Sequence, residues 1–130
     1  MTKAEEFEIL LTRWEDRLRQ SIRQNKRLTG DHLFQRLKSG ETTYVLNNTR
    51  MELDGFINGA QISMNNVWNY IYSDECPEID GTDMILQIIL KLTRENYEWE
   101  RALNQIEYDF RDGNIPIEEL RTRIDEVEVG

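Results

Sequence analysis

Glu95, Glu98, Asp109 and Asp112 fall within one stretch of helical periodicity, and acidic residues three apart on facing helices are how a helical bundle holds Mg²⁺ against a substrate phosphate. Such a site needs two or more acid pairs converging on one cavity. The stretch expected to face this one offers only Glu52 and Asp54, so the magnesium pattern is incomplete. A di-iron bundle would need Glu-x-x-His pairs, whereas the chain has one histidine, His32, expected to face solvent or cap a helix. The single cysteine, Cys76, rules out an intramolecular disulfide and a multi-cysteine metal site; it stands beside Pro77 with no positioned histidine to activate it. These residues call for no catalytic group, metal or cofactor.

Charge is the stronger signal. Residues 1–50 carry 10 Lys and Arg against 7 Asp and Glu, a net of +3; residues 51–130 carry 6 against 18, a net of −12, and together they make the formal −9. Arg19, Arg23 and Arg27 recur every four residues and share one helix face with Lys26. That stripe suits a phosphate backbone, or an acidic surface on the same chain or on a second copy. The acids form rows: Asp74, Glu75, Glu78, Asp80 and Asp83, then Glu95 and Glu98. Rows of this density on a rigid scaffold can imitate nucleic-acid phosphates, or can simply be a solvated face. Nonspecific nucleic-acid binding by the whole chain is excluded by its acidic two-thirds, leaving only the basic N-terminal helix able to touch phosphate.

These residues must be positioned by helices. Stepping 4,3,4,3 from Leu46 meets Leu46, Arg50, Leu53, Ile57, Ala60, Met64, Val67 and Ile71; the same steps from Ile85 meet Ile85, Ile89, Leu92, Asn96, Trp99, Leu103, Ile106 and Phe110. Seven of eight positions are apolar in each, the seam of a helix packed lengthwise on others. The periodicity predicts a long antiparallel pair, about 42–72 and 82–111, folded back through a turn-rich run holding Asp74, Pro77, Asp80 and Gly81. The stretch Thr42 to Leu46, before Asn47 and Asn48, also fits half of a β-hairpin, which leaves 42–53 open between helix and hairpin. In the register that sets Ile71 opposite Ile85, Gly55 and Gly59 would make room for Trp99, and Arg50, opposite Ile106, would reach toward Glu107 or Asp109. Asn96, the polar member of its seam, would fix register.

An amphipathic N-terminal helix opens on the capping pattern Thr2-Lys3-Ala4-Glu5 and buries Phe7, Leu10, Leu11, Trp14, Leu18 and Ile22. Beyond Arg27 a turn is expected, then a short helix from Asp31 to Lys38 stopped by Gly40; a second short helix begins at Pro116 and carries Ile117, Leu120, Ile124 and Val127. Tyr70, Tyr72, Tyr97 and Tyr108 lie off the main seams, and most are expected to pack beneath the N-terminal helix.

The fold class is therefore all-α, a single helical domain over residues 1–130. Glu5, Glu6 and Glu8 stand where a signal peptide would be basic and then apolar, and the longest apolar run, Met84 to Leu90, is broken by Gln87. A cytoplasmic location without membrane attachment is expected. The leading expectation of function is a non-catalytic protein-binding module, in its narrower form an acidic inhibitor of a nucleic-acid-handling complex. The alternative is a self-associating protein whose basic helix docks on the acidic surface of a second copy; the third is a magnesium-dependent phosphohydrolase.

Overall fold

A computed structural model of the chain describes residues 1–41, 45–127 and 129. All its regular structure is helical: α1 (Lys3–Lys38), α2 (Val45–Val67) running into a π-helical turn (Trp68–Tyr72) and a short 3₁₀ turn (Ser73–Glu75), α3 (Gly81–Arg111) and α4 (Ile117–Asp125). None of the helices among these residues is long and apolar enough to cross a membrane.

The caps follow from sequence. Thr2 accepts the Glu5 N–H at 3.1 Å at the start of α1, and Asp80 accepts that of Asp83 at 3.1 Å at the start of α3, each meeting one of the donors a helix start leaves unpaired. Both long helices stop in the same way. Gly40 and Gly113 take positive φ, which costs glycine least, while Glu41 N–H reaches Arg36 C=O and Asn114 N–H reaches Asp109 C=O, the crossed bonds of a Schellman end.

α1 and α2 run antiparallel, as do α2 and α3, around one hydrophobic cluster that also takes in Cys76, Ile115 and the α4 residues Leu120 and Ile124. The α3 seam is buried as its spacing predicts, from Ile85 through Ile106, with Phe110 packed at the margin. Phe7 holds the start of α1 against the π turn, its ring 4.8 Å from Trp68 and 5.2 Å from Tyr72.

Four expectations need correction. First, α1 does not break after Arg27; 36 residues run as one helix about 54 Å long. Thr29 and Gly30, which read as a turn, are buried inside it. Thr29 donates its hydroxyl to Asn25 C=O at 2.9 Å, which leaves Thr49 as donor in the 2.8 Å bond between the two threonines, so both buried hydroxyls are satisfied. At Gly30 α4 packs so close that a Cβ would stand 3.3 Å from Ile124 Cγ2. Asp31 caps nothing and instead accepts from Arg121 of α4 at 2.5 Å.

Second, residues 45–48 are helical and not half of a hairpin; Thr42, Thr43 and Tyr44 lie outside the described residues. Third, the α2 seam holds at Leu46, Leu53, Ile57 and Met64 and departs at its two ends. Ser73 N–H bonds Trp68 C=O, an i→i+5 turn, and the extra residue turns Trp68 and Tyr72 inward where Val67 and Ile71 were expected. At the other end Thr49 is buried and Arg50 exposed. The register also differs: Arg50 sits 3.7 Å from Glu100, six residues before Ile106. Fourth, Gly55 and Gly59 face open space and receive no indole. The glycine that does is Gly81, packed under Trp68. Of the four tyrosines only Tyr72 packs beneath α1, donating to Glu6 at 3.2 Å; Tyr70, Tyr97 and Tyr108 are exposed.

Candidate functional site

Between α2 and α3 the chain makes an acidic corner. The 3₁₀ turn carries Asp74 and Glu75, the connector carries Glu78 and Asp80, and the first turn of α3 carries Asp83; all five are exposed. Asp80 is occupied as the cap of α3, and Asp83 accepts weakly from Gln87 at 3.4 Å. Glu75 reaches Lys3 only at 4.0 Å. Among the described residues Asp74 and Glu78 have no ion pair. Pairing at such exposure stabilises little, so this charge remains available to another molecule.

The π turn adds two apolar groups to the same corner. By turning Trp68 and Tyr72 into the core it turns Tyr70 and Ile71 out, 86% and 58% exposed. Exposed aromatic and aliphatic side chains ringed by charge are the composition of an interface anchor with a polar rim.

The second acidic group lies elsewhere. Glu95, on α3, is half-buried and accepts from Arg19 at 2.7 Å, while Arg19 also donates to Glu15 at 2.9 Å. Glu98 is exposed. Glu95, Glu98, Asp109 and the C-cap residue Asp112 span about 25 Å of one helix and do not converge; among the described residues no three His, Cys, Asp or Glu side chains gather around a point that could hold a metal. His32 is exposed on α1.

Two of the four residues of the basic stripe, Arg19 and Lys26, are engaged within the chain. Arg19 is tied to α3 as described, Arg23 is half-buried, and Arg27 is exposed. Lys26 is 2% exposed and holds its ammonium 5.4 Å from the centre of the Trp99 ring, at the edge of a groove lined by α1, α3 and α4. Burial lowers its pKa from 10.5 to about 8; the Glu95 carboxylate opposes that shift, and the Arg19 and Arg23 charges add to it. Sequence reasoning placed Lys26 on the cationic face. The available signal was its spacing: Ile22, Lys26, Thr29 and Leu33 continue the buried stripe of α1 at steps of four, three and four.

The Lys26 shift sets a pH dependence. Between about pH 8 and 10.5 the unfolded chain keeps a proton that the folded chain has released, so stability rises with pH across that window. Below about 8 the penalty of charging the buried amine is fully present. The whole shift corresponds to about 3 kcal/mol, and relaxation and water penetration at the groove edge reduce this to about 1–2 kcal/mol. Lys26→Met removes the penalty along with a cation–π contact, for a net gain of about 1 kcal/mol at pH 7. Thermal melts should show Tm rising by about 4 °C at pH 7 and the difference shrinking toward zero by about pH 10. A gain that is the same at both pH values would mean that the amine is not the cause.

Together these features define an all-α helical bundle with a charged and partly apolar corner at one end. No family model, curated protein or solved structure matches the chain.

Proposed function

We propose that this chain is a non-catalytic protein-binding module that takes a basic partner at the α2–α3 corner. The observation that carries this reading is the conjunction at one place of under-paired carboxylates, Asp74, Glu75, Glu78 and Asp83, with the outward Tyr70 and Ile71. Charge steers and selects the partner, while the two apolar groups supply contact area that dehydrates on docking. In its narrower form the partner is the basic cleft of a nucleic-acid-handling complex, with the carboxylates standing where phosphates would lie. The self-associating alternative needs a free basic stripe, and Arg19 and Lys26 are already committed inside the chain.

The test is affinity capture from cell extract with two baits, the wild-type chain and the Asp74→Asn, Glu75→Gln, Glu78→Gln, Asp83→Asn variant, which spares the helix-capping Asp80. Proteins with basic nucleic-acid-binding surfaces should be retained by the wild-type bait, be released by added duplex nucleic acid, and bind the variant at least about tenfold more weakly. Capture of the same proteins in the same amounts by both baits would remove the reading.

A further inference from the structure

Lys26 is a buried cation without a counter-ion. Among the described residues its ammonium forms no hydrogen bond and no ion pair, although a lysine is almost never buried unless it is paired. Glu95, the carboxylate that acts on it, is held by Arg19 at 2.7 Å, and Trp99 offers only the face of its ring. What is buried is the stem. The fully enclosed, partnerless side-chain nitrogens and oxygens among the described residues belong to Asn65 and Asn96, so the Lys26 nitrogen, partnerless and not one of them, still opens on solvent.

Lys26 lines the groove between α1, α3 and α4, whose volume of about 440 Å³ falls in the range of small-molecule sites. Leu103, Ile124, Val127 and the Trp99 ring give it apolar walls. Its charges are Lys26, Arg27 and Arg121 against Asp31 and Asp125, and Arg121 takes both acids, at 2.5 and 3.2 Å. Three positive groups against two negative suit a monoanion better than a dianion. Farther back on α1, Arg19 and Arg23 add positive charge near the ammonium, and Glu95 of α3 opposes them. A carboxylate carries one negative charge and accepts well from an ammonium, while an apolar body behind it can lie on the walls.

We infer that the α1–α3–α4 groove is a binding site for a small organic monocarboxylate with an aliphatic tail, its carboxylate accepting from the Lys26 ammonium and its tail lying along Trp99, Leu103 and Ile124. The site stands about 30 Å along α1 from Phe7 and the π turn, and it does not rest on the function assigned to the acidic corner. For a ligand of about ten heavy atoms the dissociation constant is expected on the order of 0.1 mM. Guanidinium groups and carboxylates keep their charge between about pH 7 and 9.5, so across that range the amine is what titrates. With a pKa of about 8 it is mostly charged at the lower end and mostly neutral at the upper. A bound carboxylate favours the ammonium, so proton and ligand bind together and affinity falls as pH rises.

The experiment titrates the full chain with octanoate at about pH 7 and 9.5 while recording the Trp99 indole and Lys26 side-chain resonances. Octanamide, of the same length without the charge, and octylammonium, of opposite charge, serve as controls. Octanoate should shift both resonances saturably, bind at least about tenfold more tightly than either control at pH 7, and weaken at least about fivefold at pH 9.5. Lys26→Met should bind octanoate at least about tenfold more weakly and lose the pH dependence. Absence of any saturable shift at about ten times the expected dissociation constant would overturn the inference. So would equal affinity for octanoate and octanamide, an affinity unchanged between the two pH values, or undiminished binding by Lys26→Met. The comparisons of ligand and of pH are made on the wild-type chain, so they decide the matter even if Lys26→Met does not fold.

Discussion

Phe7→Ala is expected to cost about 4 kcal/mol, the largest loss from any single truncation considered. Phe7 is fully buried, and its ring is tilted against both Trp68 and Tyr72. Truncating a buried phenylalanine to alanine costs roughly 3–5 kcal/mol through lost transfer energy and the cavity left behind, and each aromatic pair adds a fraction of a kcal/mol or more. The cavity cannot collapse easily here. Its walls are the start of α1, held by the Thr2 cap, and the π turn, held by its own wide hydrogen bond. Urea unfolding should show the midpoint falling with the slope unchanged, and Tm should drop by about 10–20 °C. Phe56→Ala is the internal comparison: that ring is 44% exposed, and its removal should cost less than about 1 kcal/mol. Similar losses at the two positions would show that the end of the bundle is loosely packed.

The second large effect runs against helix propensity. Gly81 is the first residue of α3, and alanine there should by propensity alone favour the helix by up to about 1 kcal/mol. A Cβ at this position would stand 2.2 Å from Trp68 Cδ2 and 2.3 Å from Cε3, well inside van der Waals contact. The buried indole can yield only by leaving the face that the π turn holds. Steric cost therefore exceeds propensity, and Gly81→Ala should lose about 2–3 kcal/mol, with Tm lower by about 10 °C. Gly55→Ala supplies the opposite sign: its Cβ meets nothing, and the change should stabilise the chain by up to about 1 kcal/mol. A neutral Gly81→Ala would mean that the contact with Trp68 relaxes at no cost.

The long seam of α3 was legible because every position from Ile85 to Ile106 keeps the helical period and faces the core, so pattern and packing agree. α1 was legible as two helices, to Arg27 and from Asp31 to Lys38, but not as one, and its apolar stripe only as far as Ile22 before Leu33 resumes it. Between Ile22 and Leu33 the buried stripe passes through Lys26, Thr29 and Gly30, polar or helix-weakening residues whose burial depends on partners far away in the chain: Trp99, Thr49 and Ile124. Local propensity carries no information about those partners. The departure at the C-terminal end of α2 has a different origin. A π turn inserts one residue into the helical count, and nothing in the spacing of Val67, Trp68, Ile71 and Tyr72 distinguishes the two faces until Gly81 and Phe7 are packed against one of them. Of the candidate site, the acidic row from Asp74 to Asp83 was visible as composition; its partly apolar character was not, because the outward turn of Tyr70 and Ile71 follows from that same inserted residue. Glu95 was visible as an acid, but its pairing with Arg19 depends on the parallel course of α1 and α3.

Cys76 closes the acidic corner from beneath. It is fully buried, and burial raises the pKa of its thiol above 9.0, with Glu78 and Glu75 pushing the same way. The reactive thiolate is thus suppressed by both environment and access, and alkylation or oxidation at this sulfur must wait for the connector to lift away from the core. Since it is the chain's single thiol, the molecule carries one covalent probe, at the place where the partner is expected to dock. Its labelling rate counts openings of that corner, and an occupant seated over the corner would be registered as a slower clock.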